Sequence, residues 1–153
     1  MRRTDRVIVI VVLILAWTGG PVSDTIAREA RPAVAQTSTP VSQGAGMYSK
    51  EQARRGSAVY EANCARCHLE NLKGNDMAPA LMGDSFLAGW ENKSARALYS
   101  LILSTMPSDS PGTLGGGDVL DIVALVLQSN GFAAGLDDLT LDRADKLVIK
   151  RLK

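Results

Sequence analysis

The chain's two cysteines and its single histidine lie within five consecutive residues, Cys64-Ala65-Arg66-Cys67-His68. This C-x-x-C-H pattern is typical of covalent haem attachment. Sulfurs three residues apart on a helical turn lie on one side of it, so each can form a thioether at the porphyrin edge. The imidazole of His68 can then reach the iron beneath the ring. The pattern therefore predicts one covalent haem c, attached to Cys64 and Cys67 and ligated by His68.

Three other interpretations account for less of this cluster. A redox dithiol is expected near a βαβ pattern, and the sequence shows no alternating strand pattern. A structural zinc site needs four nitrogen or sulfur ligands, and the cluster offers only three. A plain disulfide would close a very short loop and leave the adjacent histidine unexplained. Haem attachment uses all three side chains and is the preferred interpretation.

The N-terminal part of the sequence predicts export. A basic start precedes an apolar run, Val7–Trp17, which is about half as long as a bilayer span needs. Small residues at 33–35 suggest a cleavage site at that point. We therefore predict a signal peptide over 1–35, a periplasmic or otherwise exported protein, and no membrane span after cleavage; an uncleaved N-terminal anchor is the alternative. Residues 36–46 are small and polar with Pro and Gly, which predicts a flexible linker.

Apolar periodicity predicts a first helix that ends in the cysteine cluster. Ser49 and Gln52 have the spacing of a capping box at its start. The pattern continues at steps of three or four residues through Ala53, Gly56, Tyr60 and Cys64. After the cluster, glycines and a proline interrupt Leu72–Trp90 too often for a long regular element, which predicts a wrapping loop.

A second helix is predicted to start near Ser94. Leu98, Leu101 and Ile102 give it an apolar stripe. Pro107 prevents the helix from continuing, because proline lacks the amide hydrogen and clashes with the preceding turn.

A third predicted helix runs from about Asp118 to Asn130, and Gly131 suits a left-handed C-cap. Its buried face consists of Val119, Ile122, Val123 and Val126. Since no stretch alternates as a strand would, the predicted fold class is all-α. The formal net charge of +1 and the 5% aromatic content give no support to nucleic-acid binding.

Several stretches between about Tyr48 and Ala134 match a known family, namely "GSAVYEANCARCH", "APALMG", Trp90, "TMP" and the closing apolar helix. They resemble the small monohaem c-type cytochromes of class I. The resemblance implies a cytochrome c fold with about three to five helices wrapped around one covalently bound haem. It further implies a cytochrome c domain over 47–135.

The same resemblance implies a contact where the first and last helices of that fold cross. Gly56 and Tyr60 would lie on one side of the contact, and Ile122 and Leu125 on the other. Gly56 would allow the two backbones to approach closely.

Residues 136–153 form a predicted C-terminal extension that passes from acidic to basic. The segment can pack as a short helix or strap through Leu141, Ala144 and Val148. Two interpretations of its end remain open: the final lysines and Arg151 can dock a partner, or they can form a solvated charged end, which is the preferred interpretation.

The sixth iron ligand decides between an electron carrier and a site that binds another molecule. The candidates are Met47, Met77, Met82 and Met106. Chain reach alone leaves Met77 open. Met106 lies between a helix and Pro107, which hold its backbone in a defined turn. The resemblance places the axial methionine at Met106. Met77 and Met82 are more readily core gap-fillers that line the His68 side.

The resemblance also implies three contacts around the haem. The carbonyl of Pro79 would accept the other ring N–H of His68. The indole of Trp90 would donate to a haem propionate, and Tyr99 would approach the side of Met106. A turn proline and two core aromatic residues are the alternative roles for these three.

A haem iron with two strong-field protein ligands carries electrons rather than binding a substrate, so we predict an electron carrier and not an enzyme. A haem sensor or enzyme with an open sixth position is the alternative, if Met106 does not bind. "LYSLILSTMPSDSPGTL" and "VLDIVALVLQSNGFAAG" are similar to cytochrome c domains that accept electrons from quinoprotein (pyrroloquinoline quinone) dehydrogenases. This similarity implies redox partner proteins: a quinoprotein dehydrogenase, and a terminal oxidase or another cytochrome.

Overall fold

The computed structural model describes residues 46–151, so the predicted signal peptide over 1–35 and nearly all of the predicted linker lie outside the described residues. The described part contains six helices and two isolated β-bridges but no strand, which confirms the all-α class. The helices are α1 Lys50–Asn63, α2 Ala65–His68, α3 Gly83–Trp90, α4 Ala95–Thr105, α5 Gly116–Ser129 and α6 Leu141–Lys146. Within 46–151 no helix combines the length and the apolar content needed to cross a bilayer.

Helix α1 begins at the predicted cap. The Ser49 side chain accepts a hydrogen bond from the Gln52 amide at 2.9 Å, which satisfies one of the free amides of the first turn. The reciprocal half of the predicted capping box does not form. The Gln52 side chain is buried and instead exchanges two hydrogen bonds with the Leu139 backbone, Nε2 to O at 3.1 Å and N to Oε1 at 2.6 Å.

Helices α1 and α5 cross in close contact, as the resemblance implies. A Cβ atom added to Gly56 would lie 2.0 Å from the Asp121 carbonyl oxygen, so only glycine fits at this crossing. Tyr60 and Ile122 are both buried beside it. Arg55 donates to both carboxylate oxygens of Asp121, at 2.9 and 3.0 Å, and so joins the two helices at the rim.

The prediction of a wrapping loop over Leu72–Trp90 is wrong for the last part of that range, where α3 forms. Asn130, the C-cap of α5, donates to the Leu81 carbonyl at 3.0 Å and accepts from the Gly83 amide at 3.0 Å. Phe86 and Leu87 then bury one face of α3. These tertiary contacts outweigh the low helix propensity of the glycines. Together with α2 and α6, α3 brings the described helices to six, above the predicted three to five.

Helix α4 starts where predicted, because the Ser94 side chain accepts from the Ala97 amide at 3.1 Å. Leu98 and Ile102 are buried as expected, whereas Leu101 is exposed and Tyr99 is buried instead. Its last residue, Thr105, stands two residues before Pro107.

Helix α5 begins two residues before the predicted Asp118 and ends one residue before Asn130. Gly131 follows with a φ of 80°, which is the left-handed conformation expected of a C-cap glycine. The predicted buried face is confirmed, since each of its members is fully buried: Val119, Ile122, Val123 and Val126.

The described part of the C-terminal segment, residues 136–151, packs against the helices as a strap. Leu139, Leu147 and Ile149 are buried, and so is the predicted Ala144. Predicted Leu141 is only half-buried and Val148 is exposed, because the chain is extended on both sides of α6 and turns other side chains inward.

Backbone hydrogen bonds fix this segment to the start of α4. The Ala95 amide donates to the Leu147 carbonyl, and the Ile149 amide to the Lys93 carbonyl, both at 2.8 Å. Arg151 forms an ion pair with Asp84 of α3. Residues 136–151 therefore pack as a strap with one short helix, and their apolar side chains complete the core.

Candidate functional site

A cavity of about 360 Å³ opens beside the cysteine cluster. Its wall is formed by the end of α1, α2, the segment 77–81, α3, α4 and the residues after α4. Several of the predicted site residues share this wall, namely Cys64, Cys67, His68, Pro79, Trp90 and Met106. Apolar side chains form much of the remainder, among them Phe86, Leu98, Ile102 and Ile122.

A tight turn brings the two cysteines and the histidine to the cavity together. The Cys67 and His68 amides both donate to the Cys64 carbonyl, at 3.1 and 3.0 Å. Both thiols are free and half-buried. Burial, with a smaller contribution from the Cys67 sulfur, raises the pKa of the Cys64 thiol to about 11. A thiol with a raised pKa is mostly protonated at neutral pH, whereas redox-active cysteines have lowered pKa values.

The His68 ring is buried, and its Nδ1 lies 2.8 Å from the Pro79 carbonyl oxygen. Because a carbonyl oxygen can only accept, Nδ1 carries the proton and donates it to this bond. The other nitrogen, Nε2, then keeps its lone pair free for a metal. This is the contact that the resemblance implies for Pro79, and it is the usual arrangement of a metal-binding histidine.

The segment that carries Pro79 is folded tightly against the cluster. The Gly74 amide donates to the His68 carbonyl at 3.1 Å, and the Asn75 side chain accepts from the Met77 and Ala78 amides at 2.8 and 3.2 Å. Gly74 has a φ of 66°, and a Cβ there would lie 2.5 Å from the Ala78 carbonyl oxygen. Glycine is therefore needed at this position to bring Pro79 to His68.

The four candidate methionines lie in different surroundings. Met47 is buried in the core, and Met82 packs against the core without lining the cavity. Met106 is the C-cap of α4, where its amide donates to the Ile102 carbonyl at 3.0 Å, and it lines the cavity. Met77 also lines the cavity but is 78% exposed. The structure thus brings two methionines, Met106 and Met77, to the cavity.

The two predicted aromatic residues are placed differently. Trp90 lines the cavity, stacks on Phe86 with ring centroids 6.1 Å apart, and lies beneath the Lys93 ammonium at 5.0 Å. Tyr99 does not line the cavity. Its hydroxyl lies near the start of α5, where a Cβ on Gly116 would be 2.8 Å away. The preceding residue on α4, Leu98, does line the cavity. Because successive side chains of a helix are rotated by about 100°, Tyr99 faces a different direction.

The protein-family comparison matches the part of the chain that contains this site. The family described as cytochrome c oxidase, cbb3-type, subunit III, matches residues 51–126. That region includes the cysteine cluster, α2, α3, α4 and the Met106 turn. Residues 51–126 form a c-type cytochrome domain. The prediction of a small c-type cytochrome is thereby confirmed, while the link to quinoprotein dehydrogenases stays a prediction.

A solved structure is similar to this cytochrome. A chain in the crystal structure of the sulfane dehydrogenase SoxCD from Paracoccus pantotrophus is 28% identical, with a TM-score of 0.54. The match covers 63% of this chain and 52% of that chain, so the cytochrome spans about half the length of its structural relative. No curated protein matches significantly.

The cavity of the cytochrome suits the covalently bound haem c that its family implies. Two half-buried thiols face it next to an imidazole whose Nδ1 is already hydrogen-bonded. Two methionine sulfurs, those of Met106 and Met77, come from other segments of the wall. Much of the remaining wall is apolar. Two thiols and a histidine are the groups that attach and ligate a c-type haem, and an apolar wall suits its ring.

Sequence reasoning missed an ion pair at the edge of the cavity, between Arg66 and Asp109. Their side chains are 77% and 54% exposed, and both residues line the cavity. The Arg66 guanidinium lowers the pKa of the Asp109 carboxyl, chiefly through their hydrogen bond. No sequence pattern pairs the two residues, although Arg66 stands between the cysteines and Asp109 follows the predicted ligand Met106 by three positions.

Proposed function

We propose that this cytochrome is an exported one-electron carrier with a single haem c. Cys64 and Cys67 would attach the haem, and His68 and Met106 would ligate its iron. The observation that carries the proposal is that all four side chains line one cavity, although Met106 is distant from the others in the sequence. When bound, the haem supplies the ferric/ferrous couple.

The protein's own residues prepare this site in three ways. The Pro79 carbonyl fixes the His68 tautomer and makes Nε2 a stronger donor. The bond from the Met106 amide to Ile102 holds the methionine backbone at the end of α4. The apolar side chains of the wall exclude water, which lowers the local dielectric and favours a raised reduction potential.

We further propose that the carrier links a periplasmic dehydrogenase to the respiratory chain. The similar solved chain comes from a sulfane dehydrogenase, which supports a dehydrogenase as electron donor. The resemblance to quinoprotein-associated cytochromes supports the same class of donor, and a terminal oxidase or another cytochrome would be the acceptor. The predicted signal peptide over 1–35 supports a periplasmic location.

The test begins with the protein matured in a host that attaches c-type haem. We expect an intact mass equal to the polypeptide plus one haem. We expect the oxidised protein to show the weak long-wavelength absorption band of a methionine–iron bond. Met106→Ala should abolish this band, whereas Met77→Ala, which removes the other methionine at the cavity, should keep it.

Two results would contradict this assignment. Loss of the band in Met77→Ala and not in Met106→Ala would place the ligand at Met77. Rapid carbon monoxide binding by the untreated reduced protein would support a sensor or enzyme with an open sixth position.

A further inference from the structure

The segment 107–114 follows the proposed ligand Met106, and between its ends it has few contacts with the rest of the chain; Leu114, its last residue, packs against the core. Residues 108–113 are all exposed. Three of its hydrogen bonds stay inside the segment: Ser110 amide to Pro107 carbonyl at 3.0 Å, Ser110 hydroxyl to Asp109 at 3.2 Å and Thr113 hydroxyl to Ser110 carbonyl at 2.8 Å. Among the residues that the structure describes, one side-chain hydrogen bond leads out of the segment, and it joins Asp109 to Arg66.

This bond spans the edge of the cavity. Arg66 belongs to α2 and stands between the two cysteines, whereas Asp109 lies just beyond Met106. The two residues are 43 positions apart and line the same cavity. A second, smaller cavity lies against the pair, with Asn63, Pro107 and Ser110 in its wall. We call Arg66 and Asp109 the rim pair.

We propose that Arg66 and Asp109 are positioning residues that tie the Met106 segment to the haem-attachment turn and so keep the Met106 sulfur at the iron. This inference rests on the proposed function. Within the described residues, the bond between Arg66 and Asp109 is the one side-chain hydrogen bond that joins the segment 107–114 to another part of the chain, and the inference follows from this. Without the rim pair, local opening of the segment becomes more frequent, because exposed segments with few contacts open at low free energy.

The size of the effect is set by the exposure of the pair. Exposed ion pairs contribute little to global stability, and salt screens them. A contribution of that size changes a local opening equilibrium by about two- to fivefold. The expected signature is therefore easier displacement of Met106 by an added ligand, with almost unchanged global unfolding.

The experiment compares holoprotein variants by imidazole titration of the oxidised state. Arg66→Ala and Asp109→Asn should each raise the apparent imidazole affinity by about two- to fivefold. The double variant should show no further increase, because each single change already removes the ion pair. The charge-exchanged variant Arg66→Asp/Asp109→Arg should recover at least part of the wild-type resistance to imidazole.

A matched control and an independent measurement complete the test. Arg54→Ala removes an exposed ion pair with Glu51 on α1, which does not line the cavity, and should leave imidazole affinity unchanged. Amide hydrogen exchange in peptides covering 107–114 should accelerate in Asp109→Asn and not in Arg54→Ala. Asp109→Asn leaves the C-x-x-C-H motif intact, so it tests the proposal even if Arg66→Ala matures poorly.

The outcomes separate this inference from the proposed function. A wild-type protein without the methionine–iron band contradicts the proposed ligation itself. A wild-type protein with the band, whose rim-pair variants bind imidazole and exchange amide hydrogens as the wild type does, contradicts only the positioning role. Faster exchange without a change in imidazole affinity also overturns it, because the segment would then move without releasing Met106.

Discussion

At the scale of single residues, the close approach of α1 and α5 depends on the missing side chain of Gly56. The Asp121 carbonyl oxygen occupies the space that a Cβ atom would need. The residue was identifiable from the sequence because the family resemblance marks this crossing, although the distance itself is a property of the packed helices. A methyl group at this position must push the helices apart.

Gly56→Ala is therefore expected to destabilise the holoprotein. Overpacking costs about 1–3 kcal/mol. Because the added Cβ would lie 2.0 Å from a backbone oxygen, we expect a cost in the upper part of this range, which exceeds the gain of about 1 kcal/mol in helix propensity. Urea unfolding measures the difference. Gly117→Ala is the matched control, because Gly117 lies in α5, does not line the cavity, and has no atom within 4 Å of an added Cβ. It should be neutral or stabilising, and an equal loss in both variants would contradict the steric explanation.

At the scale of elements, the C-terminal segment 136–151 is part of the fold. Its buried residues pack with the helices, and the Gln52 side chain binds the Leu139 backbone from α1. The segment also pairs with the backbone at the start of α4, the helix whose C-cap is Met106. It therefore supports the helix that carries the proposed axial ligand.

Leu147→Ala is expected to lower the free energy of unfolding by about 2–5 kcal/mol, because it leaves a void in the core. Leu136→Ala removes the same atoms from a side chain that is 98% exposed and should change stability by less than about 0.5 kcal/mol. Denaturant unfolding followed by circular dichroism compares the two. Similar small effects in both variants would show that 136–151 does not pack against the helices in solution.

The junction between this segment and α1 predicts a pH dependence. Hydrogen bonds from the Ser49 hydroxyl and from Arg55 hold the pKa of Asp138 below its ordinary value of 3.8. A lowered folded-state pKa gives stability that is present above the unfolded pKa and lost as the pH falls through the folded value. Unfolding measured from pH 6 to pH 3 should therefore show a shallower acid slope in Asp138→Asn. An unchanged slope would contradict the contribution of this carboxylate.

At the scale of the whole molecule, the cavity lies beside the apolar core, and the buried core residues Phe86, Leu98 and Ile122 form part of its wall. Residues from α1 to α5 contribute to its wall. A domain of about 100 residues has a limited apolar core, so a group that fills such a cavity contributes much of its stability. The covalent haem is therefore expected to be a structural requirement as well as the redox group.

The variant Cys64→Ala/Cys67→Ala, freed of haem, is expected to lose most of the far-ultraviolet circular dichroism of the holoprotein, or to keep it without a cooperative thermal transition. The cause is the unfilled cavity. Circular dichroism and thermal unfolding test this directly. A haem-free variant as helical and as cooperative as the holoprotein would show that the described fold is stable without haem.

The sequence alone determined the features that depend on short-range spacing. Each of these features involves residues within one or two helical turns of each other, so it can be predicted without the tertiary structure. They are the C-x-x-C-H cluster, the caps Ser49 and Ser94, the buried face of α5, and Gly131. Spacing alone did not select Met106 as the axial ligand, since chain reach left Met77 open. The selection depended on the turn before Pro107 and on the family resemblance, and both methionines do line the cavity.

Only the tertiary structure decided the features that join distant parts of the chain. Gln52 and Leu139 are 87 positions apart, and Arg66 and Asp109 are 43 apart. The Leu81–Asn130 contact that holds α3 spans 49 positions. No local periodicity encodes such partners, because each bond exists only after packing has brought its two segments together. The local pattern thus specified the chemistry of the site, and long-range packing decided how firmly each part of the site is held.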